Sequence, residues 1–263
     1  MNIAAIQLEI NDNDSKATRF KTVDILLSKI QSAEKKPDLI LLPETWGCGF
    51  FDFENYSKEA ESLEGATFQL LSSWASKLDT FILGGSIIEA DGENLFNTSI
   101  LINREGNIQA KYRKMHLWGH QSKEADLLER GQSPVVVNTE FGSVGLSTCY
   151  DLRFPEQYRQ MVDEGAEIFL IVSAWPDTRI NHWRLFNQAR ALENQCWLVS
   201  CNCSGVQKGS RFGGHSMTVS PMGEILAEAG TEAYVLWSEL DLAKVRECRK
   251  QLPFLADRIK GGN

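Results

Sequence analysis

The chain has 263 residues, 43% hydrophobic and 24% charged, which suits a globular protein with a large core and excludes a disordered one. Its formal net charge is −8 without any Lys- or Arg-rich run, so nucleic acid is not an expected partner. No apolar run approaches the roughly 20 residues a membrane span needs, and MNIAAIQLEI lacks the basic start and long apolar core of a signal peptide, so a cytoplasmic protein without a membrane partner is expected.

Short apolar runs alternate with helical stretches along the whole chain. IAAIQL near residue 3 reads as a strand, and Asp14 to about Glu34 as a helix with Phe20, Val23, Leu27 and Ile30 near helical spacing. LILLP at 39–43 is a continuous apolar run, as expected of a buried strand. A helix from about Ala66 to Leu78 precedes the strand FILGGSII. NTSILIN and NIQAKY flank Arg104-Glu105-Gly106-Asn107, a hairpin turn. Met115 to Gln132 reads as a long loop holding a short helix. VVV at 135–137 and VGLST at 144–148 are strands, followed by a helix after Pro155 and the strand IFLIVS. In the helix from about Arg179 to Asn194, Ile180, Trp183, Phe186 and Ala189 suggest an apolar stripe. WLVSCN, HSMTVS and YVLWSEL are further strands, SPMGE is a turn, and a last helix spans about Leu242 to Lys250. No linker or internal repeat divides the chain, so residues 1–263 read as one α/β domain.

Six cysteines (Cys48, Cys149, Cys196, Cys201, Cys203 and Cys248) form no C-x-x-C pair. They read as reduced thiols, and Cys201 and Cys203 as small buried residues rather than zinc ligands.

Reactive residues cluster in three islands where the chain leaves an apolar strand. Glu44 follows Leu41-Leu42-Pro43, and a carboxylate against apolar walls suits a general base. Lys114 lies in Lys111-Tyr112-Arg113-Lys114-Met115-His116-Leu117, which by itself also reads as a solvated charged turn. Cys149 sits between VGLST and Tyr150-Asp151-Leu152-Arg153-Phe154-Pro155, at a strand-to-helix junction where a thiol can face a cleft.

Taken together, LLPE, KYRKMHL and CYDLRFPE resemble the nitrilase superfamily of carbon–nitrogen hydrolases. The order Glu, Lys, Cys matches, as do separations of 70 and 35 residues. The resemblance implies a four-layer α-β-β-α sandwich, assembled as a homodimer through a helical layer. It assigns Glu44 as general base, Lys114 as cationic stabiliser, Cys149 as nucleophile, and the Tyr150 backbone N–H as an oxyanion donor. Glu124, seven residues before Gly131, matches a second glutamate that orients Lys114 or the substrate amide. Arg130 and Gln132 replace the Pro and Asp found in many relatives. Lys114 would favour the Cys149 thiolate while Glu44 takes its proton. The implied reaction needs no cofactor and no metal.

Ser173-Ala174-Trp175-Pro176, Arg179, His182-Trp183 and Ala189-Arg190-Ala191-Leu192-Glu193-Asn194-Gln195 resemble the ω-amidase branch, implying a small amide substrate such as 2-oxoglutaramate or succinamate. Arg179 is the candidate partner for the distal carboxylate of such a substrate, since a guanidinium grips both oxygens. Arg153 reads as a structural ion pair with Glu156. Trp46, Trp118 and Trp175 are candidate pocket walls, with core packing the alternative. An N-carbamoyl amine or amino-acid hydrolase, a Cys–His enzyme using His116, His120, His182 or His215, and a non-catalytic scaffold are the competing readings.

Overall fold

Alternation along the first strand explains how the layers stack. In β1 (Asn2–Gln7), Ile3 and Ala5 enter one apolar core while Ala4 and Ile6 enter another. A strand buried on both faces reads as an unbroken apolar run, which is why alternation is hidden in the sequence. The computed structural model describes residues 1–120 and 122–259.

From β1 the chain runs through α1 (Lys16–Ser32) to β2 (Leu39–Leu41). It continues through the short α2 (Tyr56–Glu59) and α3 (Ala66–Leu78) to β3 (Phe81–Asp91). β4 (Asn94–Ile102) and β5 (Ile108–Arg113) add antiparallel hairpins. A one-turn α4 (Glu124–Leu127) leads to the hairpin of β6 (Val135–Thr139) and β7 (Gly142–Thr148). The second half then repeats the plan. α5 (Pro155–Asp163) connects to β8 (Ile168–Ser173), and α6 (Ile180–Asn194) to β9 (Trp197–Asn202). Next come β10 (Val206–Gln207), β11 (Ser210–Arg211), β12 (Met217–Val219), β13 (Ile225–Glu228), β14 (Tyr234–Glu239) and α7 (Ala243–Gln251).

Two six-stranded sheets result, ordered β14-β1-β2-β3-β4-β5 and β13-β12-β9-β8-β7-β6. β1-β2-β3 and β7-β8-β9 are parallel, as helical crossovers require. Ile3, Leu39, Leu83, Leu146, Leu170 and Val199 belong to the core between the sheets. α1 and α3 cover the outer face of the first sheet through Val23, Leu27, Leu71 and Trp74. Tyr158 and Met161 of α5 and Trp183 of α6 cover the second. The architecture is the expected four-layer α-β-β-α sandwich. β14 returns from the second half to pair antiparallel with β1, fastening one half to the other.

Local chemistry sets the helix ends. The Ser15 hydroxyl accepts from the Thr18 N–H at 3.1 Å and starts α1. Pro155 occupies the first turn of α5, where no N–H is needed.

The stripe read in α6 is corrected. Its buried residues are Trp183, Asn187, Arg190, Ala191 and Asn194, whereas Ile180, Phe186 and Ala189 are only half-buried. A spacing of three drifts off the face of a 3.6-residue helix, and the buried polar side chains donate to backbone carbonyls. Asn187 Nδ2 donates to the Trp183 carbonyl at 2.8 Å, and Arg190 Nε to the Leu152 carbonyl at 3.1 Å. All six cysteines are free and buried. No helix among the described residues is long and apolar enough to cross a membrane.

Candidate active site

The carboxyl ends of parallel strands expose unpaired backbone and loops, and ligands in α/β sheets settle there. Here both sheets deliver residues to one place. Glu44 follows β2, Lys114 follows β5, Cys149 follows β7, and Ser173 ends β8 with Ala174 next to it.

Close packing shapes the Glu44 loop. Gly85 has φ +72°, and a Cβ there would lie 2.0 Å from the Pro43 carbonyl oxygen. Only glycine lets β3 pass beneath Pro43-Glu44 at this distance. Trp46 Nε1 donates to the Gly84 carbonyl at 2.9 Å, and the Thr45 N–H to Ser86 Oγ at 3.0 Å. Trp46 is wholly buried against Phe20, so it is core and not a pocket wall.

Glu44, Lys114 and Glu124 are all completely buried. Lys114 Nζ donates to Glu44 Oε1 at 2.9 Å and to Glu124 Oε1 and Oε2 at 2.8 and 2.9 Å. The Ala174 N–H binds Glu44 Oε2 at 2.9 Å, and the Trp118 N–H binds Glu124 Oε2 at 2.7 Å. Asn97 on β4 donates from one Nδ2 to both carboxylates, at 2.8 Å to Glu44 and 3.0 Å to Glu124. Gly131 passes behind Lys114, its N–H 2.9 Å from the Lys114 carbonyl. A Cβ at Gly131 would lie 2.0 Å from the Arg113 carbonyl oxygen, which gives a physical reason for glycine at this place in the Glu124 segment. The substitutions at 130 and 132 leave that segment able to bring Glu124 onto Lys114.

Burial disfavours the charged form of Lys114, but Glu124 and Glu44 outweigh it and hold the ammonium's pKa well above its usual value. Burial raises the Glu124 pKa; Lys114 opposes this, and the Glu44 charge adds to it.

Cys149 begins a 3-10 turn, Cys149–Arg153, with φ +48°. A non-glycine residue in this region signals a turn held by its surroundings. Its thiol is buried and pushed far above the ordinary cysteine range, first by desolvation and then by the Glu44 carboxylate. Lys114 and the Ser173 hydroxyl act in the opposite direction. Lys114 acts toward thiolate, as expected, but burial and the Glu44 charge outweigh it.

A pocket of about 260 Å³ opens from Cys149. Phe50, Trp118 and Trp175 line it, with Tyr150, Arg153, Arg179, His120 and His182. Arg153 is thus a pocket residue and not the ion pair expected with Glu156. Its guanidinium lies 4.7 Å from the Trp175 ring centroid and 3.5 Å from His182 Nδ1, and no carboxylate among the described residues acts on it. Burial lowers its pKa, and so does the Arg179 charge nearby. The Arg179 guanidinium lies 5.5 Å from the Trp118 ring centroid, and its carbonyl accepts from Trp175 Nε1 at 2.9 Å.

The histidines do not build a Cys–His pair. His116 is held by Asp151 and His215 by Glu228, and no histidine hydrogen-bonds Cys149 among the described residues. Sequence reading missed Asn97 and Phe50 as site residues; it had His182 as a Cys–His candidate, where the structure makes it a pocket wall, and gave Ser173 no role of its own. A polar Asn97 inside the buried run of β4 was the one available signal.

A carbon–nitrogen hydrolase family model matches residues 2–250. A 2-oxoglutaramate amidase of Paenarthrobacter nicotinovorans is 38% identical over 98% of this chain and 89% of its own. The human omega-amidase is 32% identical over 95% of this chain and 92% of its own. A Saccharomyces cerevisiae member of branch 10 of the nitrilase superfamily superposes with a TM-score of 0.87 at 29% identity, over 96% of this chain and 94% of that one. With such matches along nearly its whole length, the chain belongs to the carbon–nitrogen hydrolase family.

Proposed function

We propose that the chain is an ω-amidase, hydrolysing the terminal amide of short dicarboxylate monoamides such as 2-oxoglutaramate or succinamate. The observation that carries this reading is the pair of guanidiniums, Arg153 and Arg179, facing the pocket that opens from Cys149. Two neighbouring cations between aromatic walls suit a distal carboxylate and disfavour a neutral tail. The amidase names of the two relatives point the same way.

In the proposed reaction, the Cys149 sulfur attacks the amide carbon as Glu44 takes the thiol proton. Coupled transfer suits a thiol whose pKa is raised by burial. The carbonyl oxygen becomes an oxyanion, stabilised by the Lys114 ammonium and the Tyr150 backbone N–H. One Nζ–H on Glu44 and one shared by the two Glu124 oxygens leave the third for that oxyanion. Collapse breaks the C–N bond, and Glu44 returns the proton to the departing nitrogen, releasing ammonia. Water then attacks the thioester, Glu44 takes its proton, and C–S cleavage frees the acid and restores the thiol. Glu124 holds Lys114 and does not meet the substrate in this scheme.

The six free thiols fit a reducing cytoplasm. We also infer a homodimer through the α6 layer. Leu185 and Leu192 on α6 are 64% and 44% exposed, and Met222 and Leu226 beside them are each 45% exposed. Light scattering should give twice the 29.6 kDa chain mass, and Leu185→Glu should reduce it to one. A wild-type monomer would remove this inference.

Ammonia release from succinamate, 2-oxoglutaramate, glutamine, a neutral short amide and an N-carbamoyl amino acid tests the substrate class. Activity should fall on the first two and vanish in Cys149→Ala. Release only from the N-carbamoyl compound would favour that alternative, and silence from reduced, folded protein would favour a scaffold.

Arg153→Ala and Arg179→Ala should each lower kcat/KM for succinamate by roughly 10- to 100-fold, as loss of a hydrogen bond to a charged group predicts. The neutral amide should change far less. Equal losses on both substrates would count against a carboxylate-binding role.

The raised thiol pKa has its own signature. Alkylation of Cys149 by iodoacetamide in the empty enzyme should keep accelerating as pH rises through 9.0, the ordinary cysteine value, because the thiol remains protonated there. A rate already level below neutral pH would mean a preformed thiolate.

A further inference from the structure

Asp151 is a completely buried carboxylate two residues from the nucleophile, and the reaction above gives it no role. Its bonds are unusually complete. Oδ1 accepts from the His116 backbone N–H at 2.9 Å and pairs with His116 Nδ1 at 2.8 Å. Oδ2 accepts from the Tyr112 hydroxyl at 2.6 Å and the Thr148 N–H at 3.0 Å. One oxygen thus holds the segment just after Lys114. The other holds the end of β5 and the residue just before Cys149.

These two segments belong to different sheets, and no strand pairing joins β5 to β7. Between β5 and the nucleophile turn, side-chain links therefore help to set the distance from the Lys114 ammonium to the Cys149 sulfur. Ser99 Oγ and Thr148 Oγ1, 3.1 Å apart, make one such link. Asp151 makes the larger one. Tyr112, in turn, accepts from the Met115 N–H at 3.2 Å and from Gln157 Nε2 of α5 at 2.8 Å, so the clamp reaches a helix as well. Asp151 also closes the turn on itself: the Thr148 side chain accepts from the Asp151 N–H while the Asp151 carboxylate accepts from Thr148. That reciprocal cap spans Cys149, the residue with φ +48°. The His116 ring lies flat on Phe154, 3.9 Å between centroids, which fixes the imidazole that faces the carboxylate.

We propose that Asp151 is a positioning residue that sets the nucleophile turn against the Lys114 strand end, with Tyr112 and His116 as its anchors. This rests on the reading of Cys149 as nucleophile and Lys114 as oxyanion donor. The carboxylate touches no reacting atom; it acts by holding the two reacting groups in register. Its loss should slow the chemical step more than it weakens substrate binding, since Arg179, Phe50, Trp118 and Trp175 lie outside the turn that it closes.

The test is Asp151→Asn, measured beside wild type and Cys149→Ala for ammonia release from succinamate, with thermal unfolding as the check on folding. An amide can accept with one oxygen only, so its NH2 group must face a fixed backbone N–H donor, His116 on one side or Thr148 on the other. The expected result is a kcat lower by about 100-fold with KM within about threefold, the size of effect that small misplacements of reacting groups produce. Tyr112→Phe keeps the core volume and removes one anchor, and should lower kcat by about 10-fold, again without a KM change. Folded Asp151→Asn with kcat within about twofold of wild type, or with a raised KM and unchanged kcat, overturns the proposal. Should Asp151→Asn not fold, Tyr112→Phe with wild-type kcat overturns it. Cys149→Ala that still releases ammonia overturns the nucleophile reading beneath it, and is told apart because that variant leaves the clamp intact.

Discussion

A lysine ammonium with no solvent contact is tolerated only when its charge is met within the protein, and Lys114 is met by two carboxylates. Much of the site's geometry follows from this constraint. Glu44 must arrive from the end of β2, and Glu124 from the one-turn α4, 80 residues farther along the chain. Two acids that close would repel each other, so Asn97 and the Trp118 and Ala174 N–H groups complete their shells. Removing Lys114 would leave two buried carboxylates uncompensated, at a cost of about 3–5 kcal/mol. The triad is therefore structural as well as chemical.

The same arrangement bears on how a buried cysteine would serve as the proposed nucleophile. Burial and the Glu44 charge raise the thiol's pKa, which disfavours a standing thiolate and its side reactions. Glu44 raises the thiol's pKa and is also the proposed acceptor of its proton. Both effects come from one carboxylate beside one sulfur. A substrate that brings its carbonyl between Lys114 and Cys149 gives the displaced charge somewhere to go.

The pocket has two electrostatic zones. Cys149 lines it with the buried Glu44–Lys114–Glu124 cluster next to the thiol, and Arg153 and Arg179 line it against aromatic rings. Apolar walls strengthen a guanidinium–carboxylate contact by excluding water. An amide at one end of a short chain and a carboxylate at the other would meet both zones together, which is the logic of the proposed substrate class.

Short-range patterns in the chain determined the helices and most strands, because turn residues, caps and apolar runs act within a few positions. Three islands in a particular order and spacing also determined the family and the catalytic candidates Glu44, Lys114 and Cys149. Contacts between distant segments were decided only by the tertiary structure. Arg153 looked like a partner for Glu156, since helical neighbours are the default for an isolated charge; the turn at Cys149 instead directs it into the pocket. Trp46 and Trp118 were indistinguishable as tryptophans beside reactive islands, yet one fills the core and the other lines the pocket. The direction of the Cys149 pKa could not be read from charge neighbours, because burial, a property of the whole fold, outweighs the nearby lysine. The clamp made by Asp151 joins residues 112, 116 and 148 across two sheets. No local pattern encodes it, since it exists only once the sheets have packed face to face.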